Sequence, residues 1–212
     1  MEGPDTFTQL PINIDPSTKA VSSTTTSSAL SAELAALNSL HRSFIKELEN
    51  PAGVPPPPVP VNPKRSAQIT KLKETGNASF KKGAYADAVR MYGLAIDMAS
   101  GRPVWEPAGL VREELSMLYG NRAQAYMAQQ LWTEASLDAF CSTELKKVAN
   151  VKNWWRRVTC LKEMQRFEEA LEVVVEAVEF ESAGPDKKGV EELAGLLREV
   201  EASLEKKKKN SA

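Results

Sequence analysis

The sequence predicts an all-α protein: a right-handed superhelical solenoid of three helix pairs, closed by a C-terminal capping helix and preceded by a small N-terminal segment. Two observations carry this. A set of small and large residues recurs three times in the second half of the chain, in the same relative places. Around it, apolar residues recur at helical rather than strand spacing. A hydrophobic fraction of 42% over 212 residues supplies enough apolar material for a core.

The N-terminal segment, residues 1–50, reads as a hairpin plus one helix. Phe7, Leu10, Ile12 and Ile14 surround Asp15-Pro16-Ser17, a turn signal. Pro11 interrupts the first strand, so the hairpin is short. Residues 22–28 are Ser or Thr and read as a flexible link. Leu30, Leu34, Leu37, Phe44, Ile45 and Leu48 then give a helix near 31–49 whose apolar stripe needs a partner surface. Residues 51–64 are rich in proline and read as an extended spacer.

The repeats occupy residues 65–182. The first copy holds Gly76-Asn77, Ala84-Tyr85, Ala88, Tyr92 and Ala95. The second holds Ala123, Tyr126, Leu131-Trp132, Ala135, Ala139 and Ser142. The third holds Trp154, Leu161, Arg166-Phe167, Ala170, Val174 and Ala177. This pattern resembles the tetratricopeptide repeat (TPR), a helix-turn-helix unit of ~34 residues. The helices fall near 66–82 and 85–99, 112–129 and 133–147, and 151–165 and 168–181. Gly83 marks the first helix-helix turn, where a left-handed backbone is useful. Equivalent positions at 69, 116 and 151 leave an insertion at 100–112, around Gly101 to Pro107. Val190, Leu193, Leu196, Leu197, Val200 and Leu204 define a final helix within residues 183–212, the cap that the last open face of a solenoid needs. Trp132 and Trp154 occupy large-residue core positions, and Cys141 and Cys160 read as small core residues. Lys206–Lys209 read as a solvated helix end, with contact to anionic headgroups or RNA as the functional alternative.

In such a stack the first helix of each pair lines a groove, and residues four apart share a face. Lys73 and Asn77 are four apart on the first of these helices, Asn121 lies on the second, and Lys152 and Arg156 are four apart on the third. Two amides, two ammonium groups and a guanidinium directed at one space repel unless an anion fills it. A peptide's terminal carboxylate with an acidic side chain beside it suits that space. Tyr119, Gln124 and Trp155 are groove neighbours by helical position.

Lys73-Glu-Thr-Gly-Asn77, Asn121-Arg-Ala and Lys152-Asn-Trp-Trp-Arg156 resemble the carboxylate-clamp TPR domains of chaperone adaptors, which bind the C-terminal Glu-Glu-Val-Asp tail of cytosolic heat-shock chaperones. The resemblance implies that Lys73, Asn77 and Asn121 hold the terminal carboxylate. It implies that Lys152 and Arg156 hold acidic side chains and peptide backbone. The overall layout, with Arg102-Pro103-Val104-Trp105-Glu106 after the first repeat, is most similar to the cytosolic TPR subunit of the fungal Sec post-translational translocation complex at the endoplasmic reticulum. That resemblance implies a peripheral subunit on the cytosolic face of that membrane. Its partners would be a small membrane-anchored Sec subunit, gripping the N-terminal segment and Trp105, and seventy-kilodalton-class chaperones. A soluble co-chaperone adaptor outside translocation is the alternative.

The remaining classes find little support. A net charge of −1 argues against a general nucleic-acid binder. Two cysteines and one histidine, His41, suggest neither a disulfide framework, a metal site nor a catalytic triad, and no phosphate-binding loop is present. The sequence therefore predicts no enzyme and no cofactor. It predicts no signal peptide, and no apolar run reaches the ~20 residues a spanning helix needs; any membrane association is indirect.

Overall fold

The computed structural model describes residues 10–25, 27–47, 61, 63–104 and 106–210. Phe7, Leu48, Trp105 and the proline run at 51–60 lie outside the described residues, as does the side chain of Phe44. The chain divides into two units, Met1–Pro60 and Val61–Ala212.

In the first unit, β1 (Ile12–Ile14) pairs antiparallel with β2 (Val21–Ser23), and α1 (Ser28–Glu47) follows. The turn is built on Asp15. Its Oδ1 accepts from the Ser17 hydroxyl at 2.6 Å and from the N–H groups of Thr18 and Ser17 at 2.7 and 2.8 Å. These bonds, the Ser17 hydroxyl foremost, hold the carboxyl well below its usual range. The Asn38 side chain ties α1 to β2: it accepts from the Val21 N–H and donates to the Val21 carbonyl, both at 2.8 Å. The Ser/Thr stretch is not a free link. Ser22 and Ser23 belong to β2, where the Ser23 hydroxyl donates to the Pro11 carbonyl, and Ser28 opens α1.

The described residues of the second unit form seven helices: α2 (Pro63–Lys81), α3 (Tyr85–Ser100), α4 (Ala108–Met127), α5 (Trp132–Leu145), α6 (Val151–Glu163), α7 (Phe167–Glu181) and α8 (Lys187–Asn210). They pack as the pairs α2–α3, α4–α5 and α6–α7. Each pair leans on the next, and α8 lies against α6 and α7. The all-α solenoid of three pairs with a cap is the fold observed, with the strand pair confined to the small N-terminal segment. Pro63 opens α2, a position where its missing N–H costs nothing.

Each pair turns on the same backbone device. Gly83, Gln130 and Gln165 hold φ of +77°, +60° and +58°. The residue after each donates its N–H five residues back: Ala84 to Ser79, Leu131 to Tyr126 and Arg166 to Leu161, at 2.9–3.0 Å. This 6→1 bond is the Schellman way of satisfying the last carbonyls of a helix. The helices then approach closely because their contacts are small: Ala88, Ala95, Ala135, Ala139, Ala170 and Ala177 are fully buried.

Within the stretch 100–112, residues 108–112 are helical. They form the first turn of α4, with Pro107 accepting the N–H groups of Leu110 and Val111. The connection is only 101–107, and it is pinned by Arg102. That buried guanidinium meets Glu106 at 2.5 Å and Glu114 at 2.8 Å, and donates to the Ser66 hydroxyl at 3.0 Å. Trp154 is fully buried and Trp132 partly so. Cys160 is buried, its thiol pushed up to about 12 by burial, and Cys141 is partly buried.

Candidate peptide-binding groove

Helices α2, α4 and α6 lie side by side. One face of this layer carries three adjoining hollows. The first, about 160 Å³, is lined by Asn77, Phe80, Lys81, Tyr92, Asn121 and Gln124. The second, about 410 Å³, takes in Met117, Asn121, Lys152, Asn153 and Arg156. The third, about 390 Å³, is lined by Gln124, Lys152, Trp155 and Arg156 against the start of α8. Asn121, Gln124 and Arg156 are each shared by two hollows, so the three form one groove.

Asn77 is oriented from behind. Gly76 lies against the buried ring of Tyr92, which lets the Tyr92 hydroxyl donate to Asn77 Oδ1 at 2.6 Å. Burial raises the Tyr92 pKa while nearby Arg156 pulls it down, so the phenol remains a donor. With its oxygen engaged, the Asn77 amide has its NH₂ left to offer.

Arg156 is partly buried and, among the described residues, bonds only to amides: Nη1 donates to Asn153 Oδ1 and Nη2 to Gln124 Oε1. Burial lowers its pKa, partly offset by Tyr92 and Cys160. Lys152 is exposed, and like the partly buried Lys73 it makes no hydrogen bond or ion pair among the described residues. The acidic residues at the rim are already engaged. Glu113 meets Lys146 at 2.8 Å, Asp186 accepts the Gly189 N–H at 2.9 Å, and Glu192 lies 4.0 Å from Lys188. Asp186 and Glu192 thus share the groove with Lys152 and Arg156, but among the described residues neither cation is bonded to a carboxylate.

The structure thus gathers Asn77, Asn121, Lys152, Arg156, Gln124 and Trp155, the last with 41% of its surface exposed. Lys73 lies one turn before Asn77 on α2 and lines none of the three hollows. Tyr119 is not brought there. It packs against the α2–α3–α4 core, with the Arg122 guanidinium 5.5 Å from its ring. Two residues before Asn121 on the same helix, it points to the opposite side. Met117 and Asn153 were missed from sequence. Met117 lies four before Asn121 and Asn153 three before Arg156, so helical spacing alone places both on the groove face. Among the described residues no cluster of three His, Cys, Asp or Glu side chains could hold a metal ion.

No protein-family model matches the chain. A chain of the solved Sec complex from S. cerevisiae superposes over 92% of this chain and 98% of its own length, with a TM-score of 0.64 at 22% identity. The first TPR of Spaghetti (RPAP3), solved bound to the HSP90 peptide SRMEEVD, matches at 26% identity and a TM-score of 0.50, over 66% of this chain and 97% of its own. The chain has the fold of TPR domains. In sequence, the chain is similar to the ER protein translocation subcomplex subunit sec67 of Schizosaccharomyces pombe, at 39% identity over 126 residues. That match covers 58% of this chain and 65% of the relative, slightly under two thirds of its length. The mitochondrial import receptor subunit TOM34 of Rattus norvegicus is 29% identical over 106 residues, half of this chain and 32% of that protein.

Proposed function

We propose that the α2–α4–α6 groove is a carboxylate clamp for the acidic C-terminal tail of cytosolic heat-shock chaperones. Lys73, Asn77 and Asn121 take the terminal carboxylate, and Lys152 and Arg156 take the acidic side chains and backbone. The single observation that carries this reading is that, among the described residues, no carboxylate is bonded to Arg156 or Lys152 in a groove that also offers two amides. A partly buried guanidinium gains from an anion partner, and a ligand carboxylate supplies one. The Spaghetti repeat, bound to a peptide ending in EEVD, shares the fold at 26% identity and adds support.

The protein then serves as a docking adaptor for post-translational translocation into the endoplasmic reticulum. It is a peripheral subunit of a Sec-type complex on the cytosolic face, held by a small membrane-anchored subunit. Similarity to sec67 and to a Sec-complex chain supports this placement, and no described helix is long and apolar enough to cross a membrane. The first unit, with its exposed Ile12, Ile14 and Leu37, is the part offered to the membrane-anchored subunit. A second reading is a soluble co-chaperone adaptor outside translocation, which the likeness to the HSP90-peptide-bound Spaghetti repeat supports equally; co-purification of a Sec complex from detergent-solubilised membranes separates the two.

Charge-assisted hydrogen bonds contribute ~1.5–3 kcal/mol each before ordering costs, so a tail peptide binds in the micromolar range, about −8 kcal/mol. A peptide ending in Glu-Glu-Val-Asp binds by calorimetry, weakens as salt is added, and loses affinity at least ~10-fold when its C-terminus is amidated. Lys73→Ala and Arg156→Ala abolish binding with little change in Tm. Equal affinity for the amidated peptide removes the clamp.

A further inference from the structure

We infer that Asn153 and Gln124 are positioning residues that hold Arg156 without neutralising it, so that its charge stays available to the ligand. The inference rests on the clamp reading above and names how the same site is kept selective for anions.

Four other arginines of the second unit meet carboxylates among the described residues: Arg90 meets Asp87, Arg102 meets Glu106 and Glu114, Arg122 meets Asp138, and Arg166 meets Glu169, whereas Arg112 donates to the Leu145 carbonyl and Arg157 to the Thr143 hydroxyl. Arg156 meets no carboxylate among them either. Its two terminal nitrogens are taken by one amide oxygen from its own helix and one from α4 across the groove. An amide oxygen fixes a guanidinium in place but carries no charge. A carboxylate at either position would fix it equally well and compete with every acidic ligand.

The holder is itself held. Asn153, 7% exposed, donates from Nδ2 to Asn150 Oδ1 at 2.6 Å. The Asn150 side chain donates to the Lys146 and Ser142 carbonyls at 2.8 and 3.1 Å. Its backbone N–H donates to Glu181 Oε1 at 2.6 Å, and the Ala149 N–H to Glu181 Oε2 at 2.9 Å. A buried carboxylate on α7 thus fixes the loop before α6, and two buried amides relay that order to the groove cation. Room for the relay comes from α4: a Cβ on Gly120 would lie 2.3 Å from Asn153 Oδ1. Gln124 works from the other side. It is exposed, and no hydrogen bond from its Nε2 is made among the described residues, so its NH₂ remains for a ligand.

The test compares variants of the full chain. Gln124→Glu changes only charge at an exposed site. It keeps or raises Tm and weakens a Glu-Glu-Val-Asp-ended peptide by about tenfold or more at low salt, with the gap to wild type narrowing as salt rises. Asn153→Ala leaves every charge in place but frees Arg156, so relaxation of its ¹⁵Nε signal in the ligand-free protein reports lower order than in wild type. If Asn153→Ala fails to fold, Gln124→Leu carries the same order measurement. Wild-type affinity in Gln124→Glu, or unchanged Arg156 order in the neutral variant, overturns the inference. A wild-type chain that binds no acidic-tailed peptide overturns the clamp instead, while the order measurement still decides whether the amides position Arg156.

Discussion

Gly76 sets the geometry of the groove by what it lacks. A Cβ there would stand 2.7 Å and 2.9 Å from two carbons of the Tyr92 ring, and that ring is only 2% exposed and has nowhere to go. The Gly76→Ala variant should therefore lose about 1–3 kcal/mol of stability through overpacking. It should also lose peptide affinity, since the displaced Tyr92 hydroxyl no longer orients Asn77. Gly195→Ala is the control: nothing lies within 4 Å of its added Cβ, so it should gain roughly 0.5–1 kcal/mol as an ordinary helix substitution. Denaturant titration of both variants, with peptide binding for the first, decides the matter; a harmless Gly76→Ala would show that the two helices are not in close contact. At this scale the sequence was readable where residue type and spacing act together. Asn77, Asn121, Lys152 and Arg156 are polar side chains spaced to share a face. It was not readable for Tyr119, whose aromatic type suits groove and core alike. Nor was it for Asn153, whose importance comes from Asn150 and Gly120, residues that reach it only after folding.

The elements repeat more faithfully than their sequences do. Gly83 announces the first turn, but Gln130 and Gln165 adopt the same left-handed backbone with no sequence signal, because the packed pair imposes the turn that glycine would merely have eased. The connection 101–107 carries the converse lesson. Its glycine and prolines suggest a loose insertion, yet Arg102 anchors it from within, and the anchor needs Ser66 from α2 and Glu114 from α4, which no local pattern reveals. The Arg102 side chain is 1% exposed, beside Glu106 at 1% and Glu114 at 14%. Arg102→Met keeps the volume but removes the guanidinium that Glu106 and Glu114 both meet. It should cost about 3–5 kcal/mol, the usual penalty for breaking one side of a buried ion pair. A denaturation midpoint within error of wild type would mean that the connection is held by other contacts.

At the scale of the whole molecule, the cap and the groove are one structure. A solenoid is stabilised mainly by neighbour-to-neighbour contact, and the last repeat has α8 as its outer neighbour. Leu193 and Val200 of α8 are fully buried and Leu196 nearly so, packed in one cluster with Trp154 and Val158 of α6 and Val174 of α7. Burying three such side chains contributes roughly 5 kcal/mol or more, enough to decide whether the third repeat is ordered. That repeat carries Lys152 and Arg156, so a chain ending at residue 186 should lose peptide binding although it keeps every clamp residue. Removing residues 1–60 instead takes away a separate unit and leaves the clusters of the second intact. The 61–212 fragment should unfold in one cooperative transition and bind the acidic peptide as the full chain does. Calorimetry on the two truncations tests both halves of this argument. Retained binding in the 1–186 chain would separate the cap from the groove, and lost binding in 61–212 would give the N-terminal unit a part in peptide recognition.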